Sequence, residues 1–367
     1  LLAVLAATAF ASYDVTSLTE IPKPAFRPSI GGRLDHCSAA LLASSPTPPD
    51  SVHRVRPADI GLIAALGDSI TVGYLSANAS LPKVREGPIW FVGNSFDQGG
   101  DQSLATHITI PNILRSLNGS RLAGFYTGIG DEIEHTKLNV AVAGRRSDDF
   151  PRQAKDLIKR LEQYPESRKQ WKLVHMFIGT NDIMNECGSH INATTATMYK
   201  NYLREALRMM ASKMPRTIVS IVQIWNMNLT MLAKEQLYRD PSRCPGFAPI
   251  GQGYVDGYRR VVDEIEKERE FESENFTVVA QHIFDDLYEP LRVEGSYFVD
   301  FLAQDVFHLS KFGNNLVAKN LWRALLSPVG SAGKRATNDQ FVDTAEELEC
   351  PDKDCPFIRT AANSKDC

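Results

Sequence analysis

The sequence predicts an α/β fold, a three-layer α/β/α sandwich built on a parallel sheet of five strands. Two observations carry that expectation. Five short runs are aliphatic or β-branched at successive positions instead of alternating with polar residues, which is the pattern of strands covered on both faces. Amphipathic segments with helical spacing lie between them, and strand alternating with helix implies βαβ crossovers in a doubly wound arrangement.

The expected strands are IGLIAAL at 60–66, LNVAVA at 138–143, KLVHMFI at 172–178, RTIVSIVQI at 216–224 and FTVVAQHI at 276–283. The expected helices cover 151–163, 197–214, 254–271 and 311–326, each with a recurrent apolar stripe. Residues 12–55 are rich in proline, serine and small side chains, including SSPTPPD, and read as an extended leader wrapping the domain or partly disordered. A single domain then occupies 56–330, and a polar, cysteine-bearing extension occupies 331–367.

With 43% hydrophobic residues, 40 basic against 44 acidic side chains and a net charge of −4, the chain has the balance of an ordinary globular protein. No long run of one sign exists to hold a polyanion or an anionic membrane surface, so nucleic acid is not an expected partner. Residues 1–11 form an apolar run ending in Ala9-Phe10-Ala11, the small-x-small pattern of a truncated signal peptide; a buried N-terminal helix is the alternative. No other stretch approaches the ~18 apolar residues of a membrane span. The expected destination is therefore secreted, in an oxidising compartment.

Six cysteines, Cys37, Cys187, Cys244, Cys350, Cys355 and Cys367, fit that compartment as three disulfides, with about 15 connectivities open. Zinc is the rival use, but no histidine lies in the tail to complete a set around Cys350 and Cys355, and no metal or other cofactor is expected. Sequons at Asn78, Asn118, Asn192, Asn228 and Asn275 are candidate glycosylation sites and point the same way.

In a doubly wound sheet, ligands bind at the carboxyl ends of the strands. Ser69, in Gly67-Asp68-Ser69, stands just past the first strand, and a serine nucleophile requires a base and donors for an oxyanion. Asp and Ser are also ordinary helix N-caps, and Thr71 prevents a G-x-S-x-G elbow. After the third strand comes Gly179-Thr180-Asn181-Asp182, where the Asn181 amide is a candidate oxyanion donor or a turn residue. Gly144 follows the second strand and either bares a backbone N–H to substrate or serves the local conformation alone.

Before the last helix, Asp305-Val306-Phe307-His308 allows one turn to bring the carboxylate onto Nδ1 and leave Nε2 free as a base. A solvated Asp with a capping His is the alternative. Among the other histidines, His175 reads as a satisfied core residue, and His36, His53, His107, His135, His190 and His282 have no acid in similar register after a strand. Three strand ends carrying Ser, Gly and Asn, together with an acid–His pair, place nucleophile, donors and base on one edge.

That set, in that order, resembles the SGNH or GDSL-type hydrolases, with Ile70 where the family name has Leu. LGDSITVGY, residues 110–130, LNVAVAGRRSDDFPRQAKDLI, FIGTNDIMNEC and DVFHLSKFGNNLVAKNLWRALLSPVG are similar to the phospholipase B subfamily, over roughly residues 56–330. The resemblance implies a flavodoxin-like sandwich and hydrolysis of acyl esters in phospholipids and lysophospholipids. It assigns Ser69, His308 and Asp305 to the catalytic triad, and the Ser69 N–H, Gly144 N–H and Asn181 amide to the oxyanion hole. The C-terminal hydrophobic anchor of the animal membrane-associated members has no counterpart here and is not carried over.

Acyl chains need an apolar groove, for which residues 88–91 and 296–301 are candidates, core packing being their other use. Cys187 and Cys244 follow the third and fourth strands, and a bridge between them would brace loops around the site. An esterase for short-chain or carbohydrate-linked acyl groups is the first competing function, and a non-enzymatic lipid-binding relative the second.

Overall fold

The computed structural model describes residues 29–76, 90–129, 137–184, 191–192, 194–230, 247–294, 296–297, 299–303, 305 and 307–367. The signal peptide, the start of the leader, Asn78, Pro88, Ile89, His135, Cys187, His190, Cys244 and Phe298 lie outside them.

Four strands, β1 (Ile60–Gly67), β2 (Trp171–Phe177), β3 (Thr217–Val222) and β4 (Phe276–Gln281), form a parallel sheet in the order β1-β2-β3-β4. Every position of all four is buried, as continuous apolar runs require when both faces are covered. The helices that build the layers and the site are α1 (Ile110–Asn118), α2 (Phe150–Leu161), α3 (Thr180–Met184), α4 (Thr195–Lys213), α5 (Phe247–Glu268) and α6 (Lys311–Leu326). α2, α4 and α5 pack side by side on one face of the sheet, while α1 and α6 pack together on the other. These are the three expected layers. α1, which had no place among the expected helices, starts where Thr109 accepts a hydrogen bond from the Asn112 N–H and Pro111 fills the first turn.

The fifth strand is a correction. Residues 138–142 do run parallel along the free edge of β1, with Ala65 N–H on Leu138 O at 3.1 Å, Val140 N–H on Ala65 O at 2.9 Å and Val142 N–H on Gly67 O at 3.2 Å. Pairing nevertheless shrinks to the single bridge Ala65 to Asn139, because the other half of that edge is already taken. Ile63 N–H donates to Ala123 O at 3.0 Å, and Ala123 N–H to Gly61 O at 2.9 Å. Asn139 also diverts its own chain by accepting from Ala141 N–H at 3.0 Å. With 138–142 outside β1, the spatial order is the flavodoxin-like one, and the topological switch point falls between β1 and β2. A small hairpin, β5 (Arg292–Val293) with β6 (Ser296–Tyr297), was not anticipated.

The described part of the leader is packed. Val52 and Val55 are fully buried, and Ile108 N–H donates to Ile30 O at 3.0 Å. The tail lies against it: Leu348 N–H donates to Arg33 O at 3.1 Å, Ile358 N–H to Val55 O at 2.9 Å, and Asn363 Nδ2 to His53 O at 2.9 Å. Two disulfides, Cys37–Cys350 and Cys355–Cys367, secure these contacts. They are the chemistry of a secretory-pathway or extracellular protein. Among the described residues, no helix is long and apolar enough to cross a membrane.

Candidate active site

β1 ends at Gly67, where a Cβ would stand 2.2 Å from Thr71 Oγ1; only glycine lets the chain fold back this tightly. Its peptide is held from α2, since Gly67 N–H donates to Gln153 Oε1 at 2.8 Å and Gln153 Nε2 to Gly67 O at 2.9 Å. Asp68 Oδ1 then accepts from Ile70 N–H at 3.0 Å. Val72 N–H returns to Asp68 O at 3.2 Å, and Tyr74 N–H to Ser69 O at 3.0 Å. Although Asp and Ser are ordinary N-cap types, the chain after Ser69 runs as a series of turns, ended at Tyr74 by an antiparallel bridge to Trp90.

Across a sequence separation of 239 residues, His308 reaches this turn: its Nε2 lies 2.8 Å from Ser69 Oγ, and both residues are buried. Its Nδ1 lies 2.5 Å from Asp305 Oδ2. The other carboxylate oxygen, Oδ1, accepts from the Phe307 and His308 backbone N–H groups at 3.1 and 3.0 Å. Burial works to raise the Asp305 pKa, but the facing His308 charge and these hydrogen bonds outweigh it and hold the carboxyl below its ordinary value. An ionised Asp305 keeps the proton on Nδ1 and leaves the Nε2 lone pair aimed at the hydroxyl.

Gly144 adopts φ +77°, the left-handed region that favours glycine. Asn181, buried at the start of α3, donates from Nδ2 to Arg145 O at 3.0 Å, so the amide lies against the loop that carries Gly144. Asp182, missed by the sequence reading beyond its turn propensity, locks the same loop. Its carboxylate accepts from Ser147 N–H at 2.9 Å, from Ser147 Oγ, and from Tyr258 Oη at 3.2 Å. Since β1 and β2 pair Gly67 with Phe177, and Val142 N–H sits on Gly67 O, the Ser69, Gly144 and Asn181 segments all leave the same sheet edge.

Other neighbours had no sequence signal. The Tyr74 ring lies 4.6 Å, centroid to centroid, from the His308 ring, and Phe307 meets the same imidazole edge-on at 4.9 Å. Two buried carboxyls back the serine turn. Burial raises Asp68 to about 7 despite its hydrogen bond from Ile70, and burial raises Asp97 to about 7 despite accepting from Ser95 Oγ at 2.6 Å.

Three further readings need correction. His175 is in the core, but both its ring nitrogens are buried without a partner, and burial lowers its pKa to about 3, so it is neutral rather than satisfied. His282 does have an acid in register: its Nδ1 lies 2.8 Å from Asp285 Oδ2. Asn118 is buried and donates to Ile60 O at 2.5 Å, so its sequon offers no accessible acceptor in the folded chain. Asn192 and Asn275 are exposed and Asn228 is half-buried. His36 sits beside Cys37 and Cys350, but those sulfurs are joined to each other and cannot act as thiolate ligands.

A flavodoxin-order parallel sheet, with a serine, a histidine and an aspartate hydrogen-bonded in series at its carboxyl edge, is the architecture of SGNH-class ester hydrolases. The chain belongs to the GDSL-like lipase/acylhydrolase family, whose model matches residues 63–321. It is 34% identical over 342 residues to the membrane-associated phospholipase B1 of Homo sapiens, and 32% identical over 344 residues to that of Rattus norvegicus. Each alignment covers 86% of this chain but only 22% of the relative, so the chain spans about a fifth of those proteins. Among solved structures, a carbohydrate esterase of family 3 from Talaromyces cellulolyticus overlaps at a TM-score of 0.40 with 14% identity, covering 71% of this chain and 93% of that one. Phospholipase A1 from Streptomyces albidoflavus NA297 overlaps at 0.35 with 16% identity, covering 70% and 94%.

Proposed function

We propose that this chain is a secreted serine esterase that hydrolyses fatty-acyl ester bonds of phospholipids and lysophospholipids through an acyl-enzyme. The observation that carries the reading is the unbroken chain Ser69 Oγ, His308 Nε2, His308 Nδ1, Asp305 Oδ2. The lipid class is supported by the names of the phospholipase B1 relatives.

In this mechanism His308 Nε2 takes the Ser69 proton as Oγ attacks the ester carbonyl, and Asp305 stabilises the imidazolium. The oxyanion is met by the Ser69 and Gly144 N–H groups and by the Asn181 amide proton not engaged on Arg145. His308 then protonates the departing alcohol, and water, deprotonated by the same imidazole, releases the fatty acid and restores Ser69. Every atom in this cycle comes from ester, water and the relay. N-glycosylation fits the same secretory reading, with the exposed Asn192 and Asn275 as the best-placed acceptors.

The test compares wild type and Ser69→Ala on mixed micelles of phosphatidylcholine and its lyso form, with a fluorophosphonate as active-site label. The expected result is fatty-acid release and labelling by wild type, and loss of both in the variant. Hydrolysis confined to acetyl or other short acyl esters would move the assignment to a short-chain esterase; a folded wild type that neither turns over nor takes the label would identify a lipid-binding relative.

A further inference from the structure

Beside the triad lies a second apolar cluster, separate from the main core: Val72, Val92 and Ala141 are buried, and Tyr74, Trp90, Tyr126 and Ala143 pack on them half-exposed. It touches the reacting groups at two points. Tyr74 lies on the His308 ring, and Ala143 immediately precedes Gly144. Trp90 and Tyr126 are its remaining aromatic members, and Tyr126 Oη is hydrogen-bonded to the backbone of Ile129, a large aliphatic side chain that is 47% exposed. The backbone beneath is fixed: Phe91 N–H donates to Gly73 O at 3.2 Å, Gly93 N–H to Gly128 O at 2.9 Å, and Tyr126 Oη to Ile129 O at 3.2 Å.

We infer that this cluster is the acyl-chain subsite, with Tyr74, Trp90 and Tyr126 as its specificity-determining wall and Ile129 at its far end. This assignment rests on the serine-esterase reading above. Its occupant is a fatty-acyl chain because the cluster begins at the histidine and the oxyanion glycine and consists of apolar and aromatic side chains throughout. Half-exposed aromatic groups left uncovered beside a polar reaction centre gain most from an apolar ligand, which removes them and itself from water together.

The experiment is a series of p-nitrophenyl esters from acetyl to palmitoyl, with the leaving group held constant so that only the acyl side varies. Trp90→Ala is expected to lower the ratio of kcat/KM for decanoyl over acetyl ester about tenfold or more, as removal of apolar pocket contacts does. Trp90→Phe should largely restore that ratio. Ile129→Asp, at an exposed position where folding is checked by thermal melting, should depress kcat/KM only above the chain length that reaches it, giving a break absent from the wild-type profile. Variant profiles parallel to wild type would overturn the subsite while leaving the esterase intact. A wild type inactive on every ester would remove the esterase reading and the subsite with it.

Discussion

Asn181 carries two amide protons, and one is engaged by Arg145 O at 3.0 Å, which leaves the other as the oxyanion donor of the proposed mechanism. Losing one oxyanion donor typically costs about 10²–10³ in kcat. Asn181→Ala is therefore expected to reduce kcat by about a hundredfold or more with little change in KM, measured by steady-state hydrolysis of a p-nitrophenyl ester. Asp97 gives a prediction of a different kind. Its folded pKa of about 7, against 3.8 in the unfolded chain, means that the folded state retains a proton which the unfolded state has lost across that window. Stability therefore falls as pH rises from 3.8 to about 7, by at most about 4 kcal/mol. Asp97→Asn keeps the acceptor for Ser95 but has no charge to bury, so its melting temperature relative to wild type should climb between pH 4 and pH 8. A pH-independent difference would contradict this. Ser69, Gly144, Asn181, Asp305 and His308 were legible as residues because each is a chemically distinctive type at an element boundary. Asp97, Tyr74 and Gln153 were not, because their importance comes only from what the fold places against them.

At the scale of elements, α2 completes the end of β1. Gln153 accepts from the Gly67 N–H in place of a strand neighbour and joins Val142 N–H in donating to the Gly67 C=O, at the residue where the sheet gives way to the serine turn. Gln153→Leu would leave that buried N–H without its acceptor. The expected cost is about 1–3 kcal/mol, read by thermal denaturation, together with a lower kcat from a loosened Ser69. A melting temperature equal to wild type would refute the role. The four buried strands were readable because continuous apolar runs admit few other structures, and α6 was placed at 311–326 because its apolar stripe ends at both boundaries. The 138–143 run was misjudged as a full strand because an apolar pattern reports burial, whereas pairing depends on whether the neighbouring edge is free. Residues 122–124 occupy part of that edge.

At the scale of the whole molecule, leader and tail close over the domain together. Cys37–Cys350 joins residues 313 apart in sequence, whereas Cys355–Cys367 closes a separation of only 12. In the chain-entropy view the longer closure restricts the unfolded state more. The double variant Cys37→Ser with Cys350→Ser should lose about 2–5 kcal/mol, seen as a lower melting temperature, and the Cys355 and Cys367 pair should lose less. Because neither bridge reaches the triad, kcat at 25 °C should be retained in both. Equal losses, or a larger loss from the short bridge, would show that local tail packing outweighs loop closure.

What the sequence determined by itself is the set of elements and the chemical types at their ends: apolar runs long enough to be covered strands, and Ser, Gly, Asn and Asp–His at the places where those runs stop or a helix begins. Periodicity and side-chain chemistry are local properties, and they survive without coordinates. Only the tertiary structure decided which edge of β1 was already filled, which buried acids stand behind the serine, and that Tyr74 shields the imidazole. These depend on chain crossing and on burial by distant segments, and the sequence separation of 239 between Ser69 and His308 is closed by packing, which no local pattern encodes.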